Sequence, residues 1–364
     1  MNAGLYLDAN ATEPLRPAAR AAALAAMEVG GNPSSVHAAG RAARRILEDA
    51  REVVAARFGA QPQQVVFTGG GTEANALALR GLATGRRVLV GATEHPAVLA
   101  AAPGAAVLPV LADGTLDLAA LEAALAAGGP ALVALMAANN ETGVLHPLAA
   151  AAELCRRHGA LLHVDAVQAA GRVAVPSADG AVWDSMALSG HKLGGPCGAG
   201  ALLLRPGLDL VPLIAGGGQE RGRRGGTEPL PAIAGLAAAL AEATPTTAVR
   251  LAVLRDAIEA GAGGAVVAGA GAARLPNTTC LVLPGVAAET QVIALDLAGL
   301  RVSAGAACSS GKVARSPVLQ AMGFGEAAGC GIRISLPWNA PEDAAERFVV
   351  AWAAMRDRLS RRAA

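Results

Sequence analysis

Short apolar runs alternate with helical patterns through the first two thirds of the chain. Between the runs, helical spacing places Leu118, Leu121 and Leu125 on one face, behind Asp117 as a predicted N-cap. The runs are continuous rather than alternating, which is typical of strands buried on both faces of a sheet. They cover residues 65–68, 87–90, 131–136, 160–165, 183–189 and 200–205. This order of elements predicts an α/β domain with a mainly parallel sheet.

The last third of the chain has a different pattern, which predicts a smaller α+β domain. We expect its elements to be a strand at 278–283, a helix at 289–300, a strand at 332–336 and a closing helix at 341–359. We therefore divide the chain into a large domain, 15–245, and a small domain made of 1–14 plus 246–364.

Composition narrows the class of protein. The chain has 364 residues, 53% of them hydrophobic, and a formal net charge of +1, so a strongly basic nucleic-acid binder is not expected. An apolar stretch at 96–112 is interrupted by Pro103, Gly104 and Pro109, and no secretory signal is visible, so we expect no membrane span. Five cysteines are too few for a disulfide framework. The expectation is a cytoplasmic protein with free thiols.

Lysine is nearly absent from the chain. Of its 30 basic residues only Lys192 and Lys312 are lysines. Arginine stays protonated and cannot act as an amine nucleophile, so any amine chemistry has two candidates.

A glycine run follows the first predicted strand. Gly69, Gly70 and Gly71 precede Thr72 and a helical pattern, and bare backbone N–H groups at a helix start bind phosphate. The same stretch also fits the dinucleotide-binding pattern G-x-G-x-x-A loosely, so an NAD(P)-dependent oxidoreductase stays an alternative.

Polar residues follow the other predicted strands, where ligands bind in open α/β sheets. They are His95, Asn140 within an Asn-Asn-Glu-Thr-Gly turn, Asp165 with Gln168 close behind, and Ser189-Gly190-His191-Lys192. A phosphate cradle, an acid, a histidine and a lysine together meet the needs of pyridoxal 5′-phosphate (PLP), whose ring nitrogen needs an acid and whose aldehyde needs an amine.

With these motifs in place, the sequence resembles the NifS/IscS-like cysteine desulfurases of the class V aminotransferase family. The resemblance runs along nearly the whole chain. Its matching blocks begin at Tyr6, Gly31, Thr68, Thr93, Asn139, His163, Ser189, Arg223, Ser303 and Ile332. It implies the PLP-dependent transferase fold (fold type I), a homodimer, and conversion of L-cysteine to L-alanine with sulfur passed to an acceptor protein or thiol.

The resemblance also implies a role for each matching residue. Lys192 would bind the PLP aldehyde and move the Cα proton, and Cys308, in the small-domain loop, would carry the sulfur as a persulfide. His95 would stack on the PLP ring and assist proton transfer. The other implied PLP contacts are Gly71, Thr72, Asn140, Asp165, Gln168, Ser189, His191 and, from the neighbouring subunit, Thr227. Asn140 and Arg333 would bind the substrate.

Some expectations stay open at this point. The alternatives are a selenocysteine lyase or an aminotransferase of the same fold, and a non-catalytic sulfur-binding relative. We expect no metal site.

We interpret the other four cysteines as packing residues: Cys155, Cys197, Cys280 and Cys330. Glu13 and the Pro337-Trp338-Asn339 segment depart from the family's usual residues. The physiological acceptor, in iron–sulfur cluster assembly or another route, is not specified by the sequence.

Overall fold

A seven-stranded sheet forms the centre of the first two thirds of the computed structural model, which describes residues 4–176, 182–305 and 315–363. Cys308 and Lys312 lie outside the described residues. The strands are β1 (Leu5–Tyr6), β2 (Val65–Thr68), β3 (Arg87–Gly91), β4 (Ala106–Leu108), β5 (Ala131–Met136), β6 (Leu161–Asp165), β7 (Ser185–Ser189), β8 (Gly200–Leu204), β9 (Val266–Val267), β10 (Thr278–Val282), β11 (Leu300–Arg301), β12 (Ser303–Ala304) and β13 (Gly331–Ser335).

The helices alternate with these strands in the first part of the chain. They are α1 (Pro17–Met27), α2 (Ala38–Arg57), α3 (Gly71–Leu82), α4 (Pro96–Ala101), α5 (Leu118–Ala126), α6 (Leu148–Arg157), α7 (Leu230–Glu242), α8 (Ala248–Gly261), α9 (Ala288–Leu297), α10 (Pro317–Ala321) and α11 (Ala344–Ala363). Among the described residues, no single helix is long and apolar enough to cross a bilayer. Leu230–Glu242 and Pro245–Gly261 reach that length and composition only together, as a pair bent by 50°.

The central sheet has the order β2-β8-β7-β6-β5-β3-β4. Strand β8 runs antiparallel to both of its neighbours, β2 and β7, and the other pairings are parallel. The predicted mainly parallel α/β sheet is therefore confirmed. Because all the parallel strands point the same way, their carboxyl ends meet at one edge, where the predicted site residues follow β2, β3, β5, β6 and β7.

Both faces of the sheet are covered, as the continuous apolar runs predicted. On β2, Val65 and Phe67 face one core, which includes Leu47 of α2 and Leu236 of α7. Val66 faces the opposite core, with α3 and α4. Successive strand residues point to opposite faces, so a strand between two helical layers must be apolar at every position.

A second sheet, of order β12-β13-β10-β9, belongs to the last third of the chain. Its core contains Phe348 and Trp352 of α11, which stack at 5.8 Å, together with Leu251 of α8. Leu5 and Leu7 from the start of the chain pack into the same core. The domain boundaries at 14/15 and 245/246 stay a prediction.

Two predicted helix boundaries were wrong. The helix expected at 289–300 ends at Leu297, because Gly299 adopts φ 83° and turns the chain into β11. The closing helix begins at Ala344 rather than at 341, after a turn in which Ala344 N–H donates to Pro341 O.

Candidate active site

The glycine run forms a turn into α3 and leaves no room for a side chain at Gly71. Gly70 is the N-cap of α3 and has φ 154°. A Cβ on Gly71 would lie 2.7 Å from Val167 Cγ2 and 3.3 Å from Ser189 Cβ. Thr72 is exposed in the first turn of the helix. The structure thus brings Gly71 and Ser189 together at a helix N-terminus, which is the geometry of a phosphate cradle.

Asp165 ends β6 with its carboxylate buried and hydrogen-bonded. Asn75 Nδ2 donates to Oδ2 at 2.7 Å, and the Val167 N–H donates to Oδ1 at 2.9 Å. Burial raises the pKa of Asp165, and these two donors oppose the rise. A carboxylate held this way can pair with a protonated ring nitrogen.

A buried histidine supports Asp165 through Asn75. His163 Nε2 lies 2.8 Å from Asn75 Oδ1, and His163 Nδ1 lies 2.9 Å from Ser185 Oγ. Burial lowers the pKa of His163 to about 3, so the ring is neutral. Since Asn75 donates its amide to Asp165, its Oδ1 accepts, and the ring proton is on Nε2.

Lys192 lies in the 3₁₀ turn that follows β7. Its Nζ donates to Asn10 O at 2.6 Å and to Ala11 O at 2.8 Å. Burial, together with the positive charges of Arg333 and Arg172, lowers the pKa of Lys192 to about 8. Near that pH a substantial fraction of the amine is unprotonated, which suits attack on an aldehyde.

The two predicted site histidines have lowered pKa values. Burial lowers the pKa of His95, the Lys192 charge lowers it further, and the Asp165 charge opposes the shift. His95 Nδ1 accepts from the Ala97 N–H at the start of α4. Burial and the Lys192 charge lower the pKa of His191 to about 4, and its Nδ1 lies 3.1 Å from Thr12 Oγ1. Both rings are therefore neutral at neutral pH.

Arg333 extends from β13 toward the same site. Its Nη2 donates to Asp8 Oδ1 at 2.6 Å and its Nη1 donates to Asn140 O at 3.1 Å. Its Nε is buried and has no hydrogen-bond partner among the described residues. A buried guanidinium with donor capacity to spare can bind a carboxylate, so the structure brings together the predicted substrate residues Asn140 and Arg333.

These residues fit PLP. A bare-backbone cradle lies beside Ser189, the Asp165 carboxylate is available for a ring nitrogen, and Lys192 supplies the amine for the aldehyde. The predicted contacts of Gln168 and Thr227 with the cofactor stay predictions. Gln168 Nε2 donates to Asn10 O at 3.0 Å, and Thr227 is exposed after β8.

Sequence reasoning missed several residues of the site, among them Asn75, Asn10 and Arg172. Asn75 is a polar side chain on the buried face of α3, and a polar residue at such a position is itself a signal of a buried hydrogen bond. Asn10 supplies the carbonyl that Lys192 and Gln168 share. Arg172 donates to Gln168 Oε1, and nothing in its local sequence marks this contact.

The cysteine interpretations have mixed outcomes. Cys155 and Cys280 are buried, as predicted, and burial raises the pKa of both thiols, that of Cys155 to about 12. Cys330 is half-buried. The packing interpretation of Cys197 was wrong, because the turn through Pro196 and Gly198 leaves this residue exposed.

The two departures from the family pattern contact each other. Glu13 is buried, and its Oε1 accepts from the Trp338 N–H at 2.6 Å. The Arg16 guanidinium lies 5.0 Å from the centre of the Trp338 ring. The structure therefore joins Glu13 to Trp338 next to residues 190–194, the turn that carries Lys192 and that we call the lysine turn.

Comparison with known proteins agrees with this geometry. The family model for class-V aminotransferases matches residues 5–348. A cysteine desulfurase of Cereibacter sphaeroides is 46% identical over 338 residues, 87% of this chain and 86% of that protein. An IscS-like cysteine desulfurase of Mycobacterium tuberculosis is 38% identical and covers 91% of both chains. The solved NifS-like protein from Rickettsia africae superposes with a TM-score of 0.89, at 33% identity, over 97% of this chain and 99% of that one.

These matches favour the phosphate-cradle interpretation of the glycine run over the dinucleotide-binding one, and they confirm the family predicted from the motifs. The chain belongs to the class-V aminotransferase family and, within it, to the PLP-dependent NifS/IscS-like cysteine desulfurases.

Proposed function

We propose that this enzyme converts L-cysteine to L-alanine and holds the released sulfur as a persulfide on Cys308 until an acceptor protein or thiol takes it. The observation that carries the proposal is that the buried guanidinium of Arg333 lies near enough to Lys192 for its charge to help lower the pKa of that amine to about 8. The site therefore has an amine that can hold PLP and a guanidinium that can bind the carboxylate of an amino acid. A structural neighbour described as SspA in complex with cysteine, 30% identical with a TM-score of 0.80, supports this choice of substrate.

The protein's own groups divide the work of the reaction. Arg333 binds the substrate carboxylate, which displaces Asp8 from Nη2. Asp165 would stabilise a proton on the ring nitrogen of PLP. PLP, when bound, supplies an electron sink that makes the Cα proton acidic. Lys192 takes that proton at Nζ and later returns a proton to the product.

Sulfur transfer needs a second nucleophile. The Cys308 thiolate attacks the substrate sulfur, the C–S bond breaks, and its electron pair stays with the carbon skeleton, which becomes alanine after protonation. Cys308 is left with one extra sulfur atom. An acceptor thiolate then attacks that outer sulfur and regenerates the Cys308 thiolate, so no external oxidant is needed.

The test is alanine release and persulfide formation in Cys308→Ser, with Cys197→Ser as the matched control, since Cys197 is an exposed cysteine elsewhere in the sequence. We expect Cys308→Ser to bind PLP normally and to lose persulfide and sulfur transfer to an acceptor. Cys197→Ser should behave as the unmodified enzyme does. Persulfide that persists in Cys308→Ser would overturn the assignment, and equal loss in both variants would mean a general effect of cysteine removal.

We propose that the enzyme is a homodimer in which Thr227 reaches the partner's PLP phosphate. Support comes from the loop after β8, where Thr227 is exposed and follows the exposed apolar side chains of Val211, Leu213 and Ile214. Sedimentation of the unmodified protein tests the dimer. Thr227→Val should stay dimeric and bind PLP less tightly, and unchanged PLP affinity would contradict the role of Thr227.

We further propose a cytoplasmic location and iron–sulfur cluster assembly as one destination of the sulfur. Cell fractionation tests the first, and cysteine-dependent cluster formation on an apo acceptor protein tests the second. The same-fold alternatives are distinguished by substrate and by product. A selenocysteine lyase would turn over selenocysteine far faster than cysteine, and an aminotransferase would release a keto acid instead of alanine.

A further inference from the structure

The main chain around Lys192 is held at four consecutive carbonyls. These are the carbonyls of residues 191–194, and each accepts a hydrogen bond from one of three residues. His191 O accepts from Glu13 N at 3.0 Å, Lys192 O from Arg172 Nη2 at 3.3 Å, Leu193 O from Arg16 Nε at 2.8 Å, and Gly194 O from Arg16 N at 2.8 Å. The lysine turn therefore cannot shift without breaking contacts with Glu13, Arg16 or Arg172.

Arg172 also holds the side chain of Gln168, which is another residue predicted to contact PLP. Its Nη1 donates to Oε1 of Gln168 and, at 3.0 Å, to the Gln168 carbonyl. A guanidinium can only donate, so Arg172 requires the amide oxygen of Gln168 to face it. The Gln168 NH₂ must then face Asn10, where it donates at 3.0 Å and keeps a second N–H for another acceptor.

Glu13 balances the Arg172 charge in a buried environment. Its Oε2 lies 3.0 Å from Arg172 Nη2, and both side chains are less than a tenth exposed. Its other oxygen accepts from the Trp338 N–H, and Trp338 Nε1 donates to Pro14 O at 2.9 Å. Because both carboxylate oxygens have donors, Glu13 fixes the position of Arg172 as well as its charge.

From these contacts we propose that Arg172, held by Glu13, is a positioning residue that fixes both the lysine turn and the Gln168 amide for PLP. This inference rests on the proposed function, because it assigns the support of that same cofactor site. Arg172 touches neither PLP nor substrate in this role. It acts through Gln168 and the main chain of Lys192, and its charge also helps to lower the pKa of the Lys192 amine.

The test compares Arg172→Met with Arg274→Met in the full-length protein. Arg274 is a fitting control, because its side chain is equally buried and forms a two-point ion pair with Glu259 at 2.6 and 2.9 Å. Three quantities are measured: the dissociation constant for PLP from its visible absorbance, the rate of covalent linkage to Lys192, and the melting temperature of the PLP-free protein.

We expect both variants to melt at a lower temperature, since each loses a buried ion pair. Only Arg172→Met should bind PLP about tenfold more weakly and link to it more slowly, because the Gln168 amide and the lysine turn both lose the donor that positions them. Arg172→Lys should recover part of the affinity, because an ammonium still donates to Gln168 but lacks the planar fork.

Equal melting losses with unchanged PLP affinity and linkage rate in Arg172→Met would overturn the proposal and leave Arg172 a purely structural residue. If Arg172→Met does not fold, Glu13→Gln is measured against Glu259→Gln, and unchanged PLP affinity in Glu13→Gln overturns the proposal in the same way. Failure of the unmodified protein to link PLP would instead refute the proposed function, so the two outcomes are distinct.

Discussion

Replacing Asn75 with Ala tests how the fold holds a charged carboxylate inside the protein. Asn75 donates to Asp165 and accepts from His163, and all three side chains are buried. The variant removes one hydrogen bond to a carboxylate and leaves the His163 Nε2–H without its partner. At about 1.5–3 kcal/mol for the charged bond and about 1–3 kcal/mol for the unmet donor, we expect a loss of roughly 3 kcal/mol or more in the free energy of unfolding.

The loss should depend on pH, with a sign set by Asp165. Burial raises the pKa of Asp165 above its usual 3.8, so its ionisation destabilises the folded state as pH rises beyond that value. Asn75 lowers this pKa by stabilising the carboxylate. Without Asn75 the pKa rises further, so the stability deficit of the variant grows as pH rises through the range in which Asp165 ionises.

The assay is urea unfolding of the PLP-free protein at pH 5 and at pH 8, with Asn277→Ala as the matched control. Asn277 is also buried, but no carboxylate contacts its amide in these two hydrogen bonds: its Nδ2 donates to Leu336 O, and its Oδ1 accepts from Thr278 Oγ1. We expect a deficit for Asn277→Ala that is the same at both pH values. A deficit for Asn75→Ala that does not grow with pH would refute the reasoning about Asp165.

Three further predictions follow from the site. Covalent linkage of PLP should accelerate with pH to a midpoint near 8, because burial and nearby arginines lower the pKa of Lys192 to about 8, and a midpoint near the usual 10.5 would contradict this. Arg333→Lys should lower kcat/KM for L-cysteine roughly 10- to 100-fold, mainly by raising KM, because lysine cannot bind a carboxylate at two points. Steady-state kinetics measure both constants, and an unchanged KM would contradict the role of Arg333 in binding the substrate carboxylate. Burial and the Asp165 charge raise the pKa of Glu94 well above its usual value, so its side chain is protonated and accepts a hydrogen bond from the Met136 N–H. Glu94→Gln should therefore change the free energy of unfolding by less than about 1 kcal/mol in urea titrations. A loss of several kcal/mol would mean that Glu94 is a charged carboxylate.

The hydrophobic pattern predicted most of the central sheet, because a strand covered on both faces must be apolar at nearly every position. The same pattern carries no information on strand direction, so it could not show that β8 runs antiparallel to β2 and β7. It also gives little signal for strands as short as β4 and β9, which have three and two residues.

The site was predictable where function follows local sequence. Asp165 and Lys192 each end or follow a strand at one edge of the sheet, and their chemistry marks them. Asn75 and Arg172 were not found, because their contacts join residues 90 and 20 positions apart and depend on how a helix and a turn pack. The Asp8–Arg333 ion pair spans 325 positions and depends in the same way on folding.

The central claim is that PLP is bound covalently by Lys192, one of two lysines in the chain. The direct measurement is borohydride reduction of the PLP-loaded protein, followed by mass mapping of its peptides. We predict a stable pyridoxyl group on the peptide that contains Lys192 and an unmodified Lys312. A group on Lys312 instead, or no trapped group in a protein saturated with PLP, would contradict the account.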